Sequence, residues 1–292
     1  MNDKSHNNRL RSYVMYILAL LIFGTNGLFA SQISLNGSQI VLMRTLIGGI
    51  LLTCLVLIRG GFDRDSIRKD RLPLLLGGAA LGLNWVTLFE AYRLLNVSLA
   101  TLIYYAGPIL VLIFSPIFFR EKLTAQKTVS VIAVVIGLIC ISGSIVVTGM
   151  DLSGLLVAAL SAIFYAALII FNKRVTHTGG LQTAAIELDV AFLVVSVYTL
   201  FTAGIPHITS ADIPYIAVIG LVNTGLAYVL YFSGLQRLSG QSVALISYLD
   251  PVSALILSAL VLREVMTPVQ IIGAVLIIGG AILGEIKKRG EQ

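Results

Sequence analysis

Asp250 is the costliest residue to place in this chain. It lies about nine residues into an apolar stretch covering 241–262, so at 1.5 Å per helical residue it sits ~14 Å deep in anything that stretch crosses. A charge near a bilayer centre costs roughly 2.5–3.5 kcal/mol on insertion scales, which makes such a carboxylate a functional candidate by default. Pro251 follows it. A proline inside a helix removes one i→i−4 hydrogen bond, so the Ser247 carbonyl is expected to lack its donor. Carboxylate, carbonyl and Tyr248 then cluster within about one turn. Such a set can hold an ammonium group, a proton or Na⁺. The structural alternative is that Asp250 caps the break or stays protonated.

A second proline-bearing stretch, 98–119, carries Thr101, Tyr104, Tyr105 and Pro108 at i, i+3, i+4 and i+7, hence on one helix face. Two tyrosines there can line a cavity and hold a cation against their rings. For Tyr105 lining and packing stand equal; for Tyr104 packing is favoured. Asn26, Asn84 and Asn223 fall in the middle of apolar stretches. They either join helices by hydrogen bonds worth ~1 kcal/mol or contact a ligand. Trp85, the one tryptophan, lies away from the interfaces where tryptophan usually anchors.

Arg44 and Glu90 occupy the outer parts of neighbouring stretches and are expected to form an ion pair or a shared network. Glu187 reads as an inter-helix or gating residue, and Lys173 or Arg174 is in position to neutralise either it or Asp189. Asp189, two residues on, must point to another face and stays unassigned. Cys54 and Cys140 read as small apolar fillers. His6, His177 and His207 lie in termini or loops, so no His/Cys metal spacing exists. There is no P-loop and no cofactor is expected.

The elements that carry these residues follow from composition. The chain of 292 residues is 57% hydrophobic and 12% charged, whereas soluble domains carry roughly 25% charge. That excludes disorder and disfavours a soluble enzyme. The net charge of +6 fits basic loops at a membrane surface better than a nucleic-acid groove. Ten apolar stretches approach the roughly 20 residues a bilayer needs: 13–30, 38–58, 72–92, 98–119, 127–147, 152–171, 180–203, 213–235, 241–262 and 268–286. The first has an apolar run of about 18 residues, longer than the ~7–15 of a signal peptide, so it reads as a span. With the N-terminus inside, 17 Lys and Arg fall inside and 2 outside, Arg44 being within a span. This positive-inside asymmetry predicts ten helices in the cytoplasmic membrane with both termini cytoplasmic.

Shifted by 143 residues, the sequence overlays itself. The segments 98–124 and 241–267 match at 10 of 27 positions without a gap, including Tyr105 with Tyr248, Pro108 with Pro251, and Arg120-Glu121 with Arg263-Glu264. Five spans per copy invert the second copy in the membrane. Two five-helix inverted repeats, 1–150 and 151–292, suit alternating access and favour a carrier over a channel or an enzyme. Gly78-x-x-x-Gly82 and Gly280-x-x-x-Gly284 read as close helix contacts.

A helix with a central proline, then Arg-Glu-x-x-Thr, then a Gly-bearing apolar helix occurs twice: Pro108, Arg120-Glu121 and Gly137, then Pro251, Arg263-Glu264 and Gly280. In this the whole chain resembles the ten-helix EamA-type members of the drug/metabolite transporter superfamily. The resemblance implies a small-metabolite carrier, often an exporter, with a central cavity lined by helices 1, 3, 4, 6, 8 and 9. The excess of intramembrane acids (Asp250, Glu187, Asp189, Glu90) over cations disfavours phosphate or dicarboxylate substrates. An amine is expected: an amino acid, a polyamine-like compound or an organic cation, with proton coupling through Asp250 as one option. The expected partners are the bilayer, the substrate and protons, with no nucleic acid, in a monomer or homodimer. An intramembrane enzyme would need a nucleophile, base or metal set, and a channel would need rings of charges or carbonyls; neither pattern is present in the sequence.

Overall fold

A computed structural model describes residues 2–95, 97–142, 152–261 and 267–285. Arg263-Glu264, the repeat boundary expected at 150/151 and the basic residues 287–289 lie outside the described residues. The chain is a helical membrane protein, and the ten expected stretches are its ten apolar segments. The first is α1 (Asn2–Gly24), interrupted at Thr25 and continued by α2 (Asn26–Ala30). The second and third are α3 (Gly37–Ile58) and α4 (Arg64–Leu94). The fourth is split at Tyr105 into α5 (Val97–Tyr104) and α6 (Ala106–Phe118), and α7 (Ala125–Ser142) completes the first half. The second half runs through α8 (Leu152–Asn172) and α9 (Gly180–Thr202). Its third member is α10 (Ile213–Val218), a π-helical segment Ile219–Leu226 and α11 (Ala227–Leu235). Then come the split pair α12 (Gly240–Ile246) and α13 (Leu249–Val261), and α14 (Pro268–Glu285).

The 143-residue shift recurs in the helix boundaries: α3 and α9, α5 and α12, α6 and α13, and α7 and α14 all start at mated positions. Both split spans break just before their prolines. Pro108 and Pro251 therefore stand in the first turn of the second half-helix, where a missing N–H leaves no gap. This corrects the expected open carbonyl, because Ser247 O accepts the Asp250 N–H at 3.1 Å.

Eight of the segments are long and apolar enough to cross a membrane, and the fifth and tenth, Ala125–Ile141 and Pro268–Gly284, are shorter. The outer surface is apolar: Leu57, Leu75, Ile117, Leu156, Leu193 and Phe201 are all exposed, the arrangement of a protein solvated by lipid. Cys54 is on this exposed side rather than filling the core.

Close helix contacts depend on glycine. α7 and α14 touch backbone to backbone: a Cβ on Gly137 would lie 2.6 Å from Gly273 O, and one on Gly273 would lie 2.6 Å from Gly137 O. Gly82 meets the Ala191 backbone on α9, and Gly280 meets Ser130 O on α7, so both Gly-x-x-x-Gly motifs make the expected packing contacts.

Polar staples hold the loops. Asp70 accepts the backbone N–H groups of His177 and Thr178, each at 2.7 Å, and pins the segment before α9. At the opposite face Asp212 accepts from Ser34 N (2.8 Å), Thr209 Oγ1 (2.7 Å), Thr209 N (2.9 Å) and Ser34 Oγ (2.8 Å). These donors, led by the Ser34 amide, hold its carboxyl below the usual carboxylate range. The contribution to stability is present above the ordinary carboxylate pKa and is lost as pH falls through the lowered one. Asp212→Asn should melt lower than wild type at pH 7, and the gap should narrow on strong acidification; thermal unfolding in detergent across pH measures this.

Candidate functional site

The two split spans bring their breaks together. Tyr248 donates its hydroxyl to Tyr105 O at 2.7 Å, and Tyr105 donates to Asp250 Oδ2 at 3.4 Å. The mated tyrosines thus meet where the two spans break, one of them holding the acid. Tyr105 and Tyr248 are 8% and 2% exposed and pack with Val134, Leu138 and Ile277. They stand behind Asp250. Neither is among the residues that line the cavity beside Asp250; both rings are pressed against α7 and α14.

Asp250 itself is partly exposed although it lies mid-span, and its exposure is to a cavity of about 80 Å³. Aromatic rings dominate the lining: Phe23 of α1, Trp85 of α4, Tyr104 of α5, Tyr165 of α8, and Tyr228 and Tyr231 of α11. Asn26, Asn84 and Arg44 supply the other polar groups. The expected spans 1, 3, 4, 6, 8 and 9 all contribute, and span 2 joins them through Arg44. The rings brace one another. Tyr104 stacks on Tyr165 with centroids 5.1 Å apart and planes 7° apart, and Trp85 meets Tyr228 edge-on at 5.8 Å. Tyr104, for which packing was the favoured expectation, does both.

Arg44 departs most from expectation. Its Nε donates to Thr224 Oγ1 at 2.8 Å, an η nitrogen reaches Asn223 O at 3.4 Å, and the guanidinium lies 5.1 Å over the Trp85 ring. The expected Arg44–Glu90 pair does not form. Glu90 binds Arg93 at 2.8 Å, one turn on, and accepts the Tyr198 hydroxyl; the neighbour on its own helix reaches it at less conformational cost than a side chain from α3. Thr224 also donates to Ile219 O at 2.8 Å, five residues back, so Arg44 grips the π-helical turn, a distortion found often at functional sites.

Asn223, from the same turn, sits behind the cavity. Its Nδ2 is 3.0 Å from Ile22 O, 2.7 Å from Thr25 Oγ1 and 3.1 Å from Asn26 Oδ1, which ties the π turn to the break after α1. Asn84 donates to Ser161 O at 2.8 Å and so joins α4 to α8 while lining the cavity.

Glu187 is sealed from solvent between α4, α8 and α9. Its Oε2 accepts from Asn172 Nδ2 at 2.8 Å, and its Oε1 has no partner among the described residues. Gly77 makes room for it, since a Cβ there would lie 2.5 Å from Oε1. Neither expected cation reaches it. Lys173 instead donates to the carbonyls of Leu235, Gln236 and Leu238 at the end of α11, a favourable place for a cation. Asp189 does face another way and accepts from Thr53 at 2.8 Å.

The Arg-Glu motif acquires a role in its first copy. Arg120 has a φ of 57°, uncommon for a residue with a Cβ, and turns the chain after α6. Glu121 then accepts Gly240 N (2.7 Å) and Gln241 N (3.0 Å). A carboxylate from the first repeat caps the helix N-terminus that opens span 9 of the second. Tyr16 of α1 is fully buried and shares a hydrogen bond with Ser247 Oγ at 2.8 Å, which ties α1 to the break between α12 and α13.

Ten apolar segments in two inverted halves, with a half-polar aromatic cavity where the broken helices meet, define a membrane transporter. The profile of the EamA-like transporter family matches residues 10–143 and again 152–284, and the chain belongs to that family. It is 26% identical over 291 residues to the uncharacterized transporter YxxF of Bacillus subtilis (strain 168), covering 98% of this chain and 93% of that one. It is 25% identical to the threonine/homoserine exporter RhtA of Escherichia coli (strain K12) over 229 residues, 77% of this chain and 75% of RhtA. A protein of known crystal structure superposes with a TM-score of 0.84 at 20% identity, covering 94% of this chain and 97% of the other, a likeness of fold.

Proposed function

We propose that this protein is a secondary transporter that exports a small amine-bearing metabolite, an amino acid or a related compound, by alternating access. The observation that carries the reading is Asp250. It is a mid-span carboxylate turned to an aromatic cavity, with one long hydrogen bond from Tyr105 as its only partner among the described residues. An ammonium can take that carboxylate while ring faces surround its carbon skeleton. The relatedness to a threonine/homoserine exporter supports the amino-acid class. Within this reading the repeats divide at about residue 150, and the protein sits in the cytoplasmic membrane with both termini in the cytoplasm, as monomer or homodimer. Protons share Asp250 with the substrate.

A carrier of organic cations is the second reading, favoured by the ring faces of Trp85, Tyr104, Tyr165 and Tyr228 around a single acid. Counterflow into proteoliposomes separates the two. Radiolabelled L-amino acids should exchange against unlabelled amino acid on the other side, and tetraalkylammonium ions should not compete. Exchange of quaternary amines alone would establish the second reading instead.

A further inference from the structure

Arg44 and Asp250 face the same cavity with opposite charges and do not touch. Among the described residues the ion pairs within 4 Å are Arg93–Glu90 and His177–Asp70, so neither cavity charge is in contact with an opposite one. Arg44 is held in place from its sides. Thr224 takes Nε–H, the Asn223 carbonyl takes one η donor, and Trp85 lies under the guanidinium plane. A guanidinium has five N–H donors, so three are left without a protein partner among the described residues. Asp250 is held the same way, by Tyr105 on Oδ2, with Oδ1 free of donors among the described residues.

A positioned cation and a positioned anion, each short of partners in a small space walled by rings, form a dipolar receptor. A ligand with one positive charge would satisfy Asp250 and meet repulsion from Arg44 at low effective dielectric. A ligand with one negative charge would meet the reverse. A molecule with an ammonium and a carboxylate on one short skeleton satisfies both ends. The planar fork of Arg44 matches a carboxylate in two parallel hydrogen bonds.

We propose that Arg44 is a specificity-determining residue: it receives the carboxylate of a substrate whose ammonium group Asp250 holds, and the cavity takes zwitterions over simple amines. This rests on the amine reading of Asp250 above and adds a requirement that reading lacks.

The test is binding to the purified full chain in nanodiscs, using L-amino acids, each beside its carboxamide and its N-acetyl derivative. The carboxamide keeps the ammonium and loses the carboxylate; the N-acetyl form does the opposite. For wild type the amino acid should bind about 10- to 100-fold more tightly than its carboxamide, the worth of one charge-assisted contact. In Arg44→Gln that ratio should fall to near one. In Asp250→Asn the amino acid should lose its advantage over the N-acetyl form. Arg44→Lys, which keeps the charge without the fork, should fall in between. A carboxamide that binds wild type as well as its amino acid overturns the proposal while leaving the amine reading intact. So does a preference that survives Arg44→Gln. N-acetyl forms that bind as well as amino acids, or no binding by either amino acids or carboxamides, overturn the amine reading and this proposal with it. If Arg44→Gln fails to fold, the wild-type ratio together with Arg44→Lys decides.

Discussion

Asp250→Asn should remove most amino-acid exchange from proteoliposomes while leaving a monodisperse protein that melts no lower than wild type. The substitution keeps the size of the side chain and an oxygen to accept the Tyr105 hydroxyl, and it deletes the charge. A hydrogen bond to a charged partner contributes roughly 1.5–3 kcal/mol, so exchange below saturation should fall about 10- to 100-fold. Stability should hold, because a carboxylate within a span pays for its dehydration and Asp250 has little from the protein in return. A simple helix cap would behave in the opposite way, with transport preserved and melting temperature lowered. Asp250→Asn with full exchange would remove Asp250 from the substrate path.

The second large effect is mechanical. Gly137→Leu should strip the protein of a well-defined melting transition or lower it by many degrees. The contact of Gly137 with Gly273 O is backbone on backbone, with Ile277 beside it, so no flexible side chain can swing away. Overpacking a tight interior contact costs about 1–3 kcal/mol even where side chains can adjust, and here two whole helices must separate. Gly279 is the control. It is on α14, the helix that Gly137 contacts, and is exposed, with nothing within 4 Å of an added Cβ, so Gly279→Leu should melt like wild type. Equal melting of the two variants would mean that α7 and α14 do not depend on close approach.

The spans, the inverted repeat and Asp250 were legible because each rests on a long or costly signal: twenty apolar residues, a 143-residue echo, a charge within a membrane segment. Side-chain partners were less so. Arg44 and Glu90 share a depth, but depth does not fix azimuth, and Arg93 on the helix of Glu90 reaches it first. The sequence places Tyr248 beside the acid, but the reach of Tyr105 to Asp250 from the other split span is not readable from periodicity within one stretch. Phe23, Tyr165, Tyr228 and Tyr231 were missed among many apolar neighbours. Tyr228 had a usable signal, since it is the repeat mate of Trp85. The π-helical turn at Ile219–Leu226 had none beyond the glycines at 220 and 225, because its register depends on Arg44 reaching Thr224 from another span.

The repeat mates differ in chemistry where they matter most. Arg44 corresponds to the sealed Glu187, Asp250 to Gly107, Asn84 to Ala227 and Tyr104 to Ser247. On the alternating-access reading, exchanging the conformations of the two halves would give Glu187 the cavity setting Arg44 has here and seal Arg44 as Glu187 is sealed. The receptor would lose its positive pole as it turned around. Two orientations that strict symmetry would make isoenergetic are thereby split, and each 1.4 kcal/mol of the splitting is tenfold in occupancy. On the proposed reading, such a chain would grip a dipolar cargo firmly in one orientation and repel its carboxylate in the other.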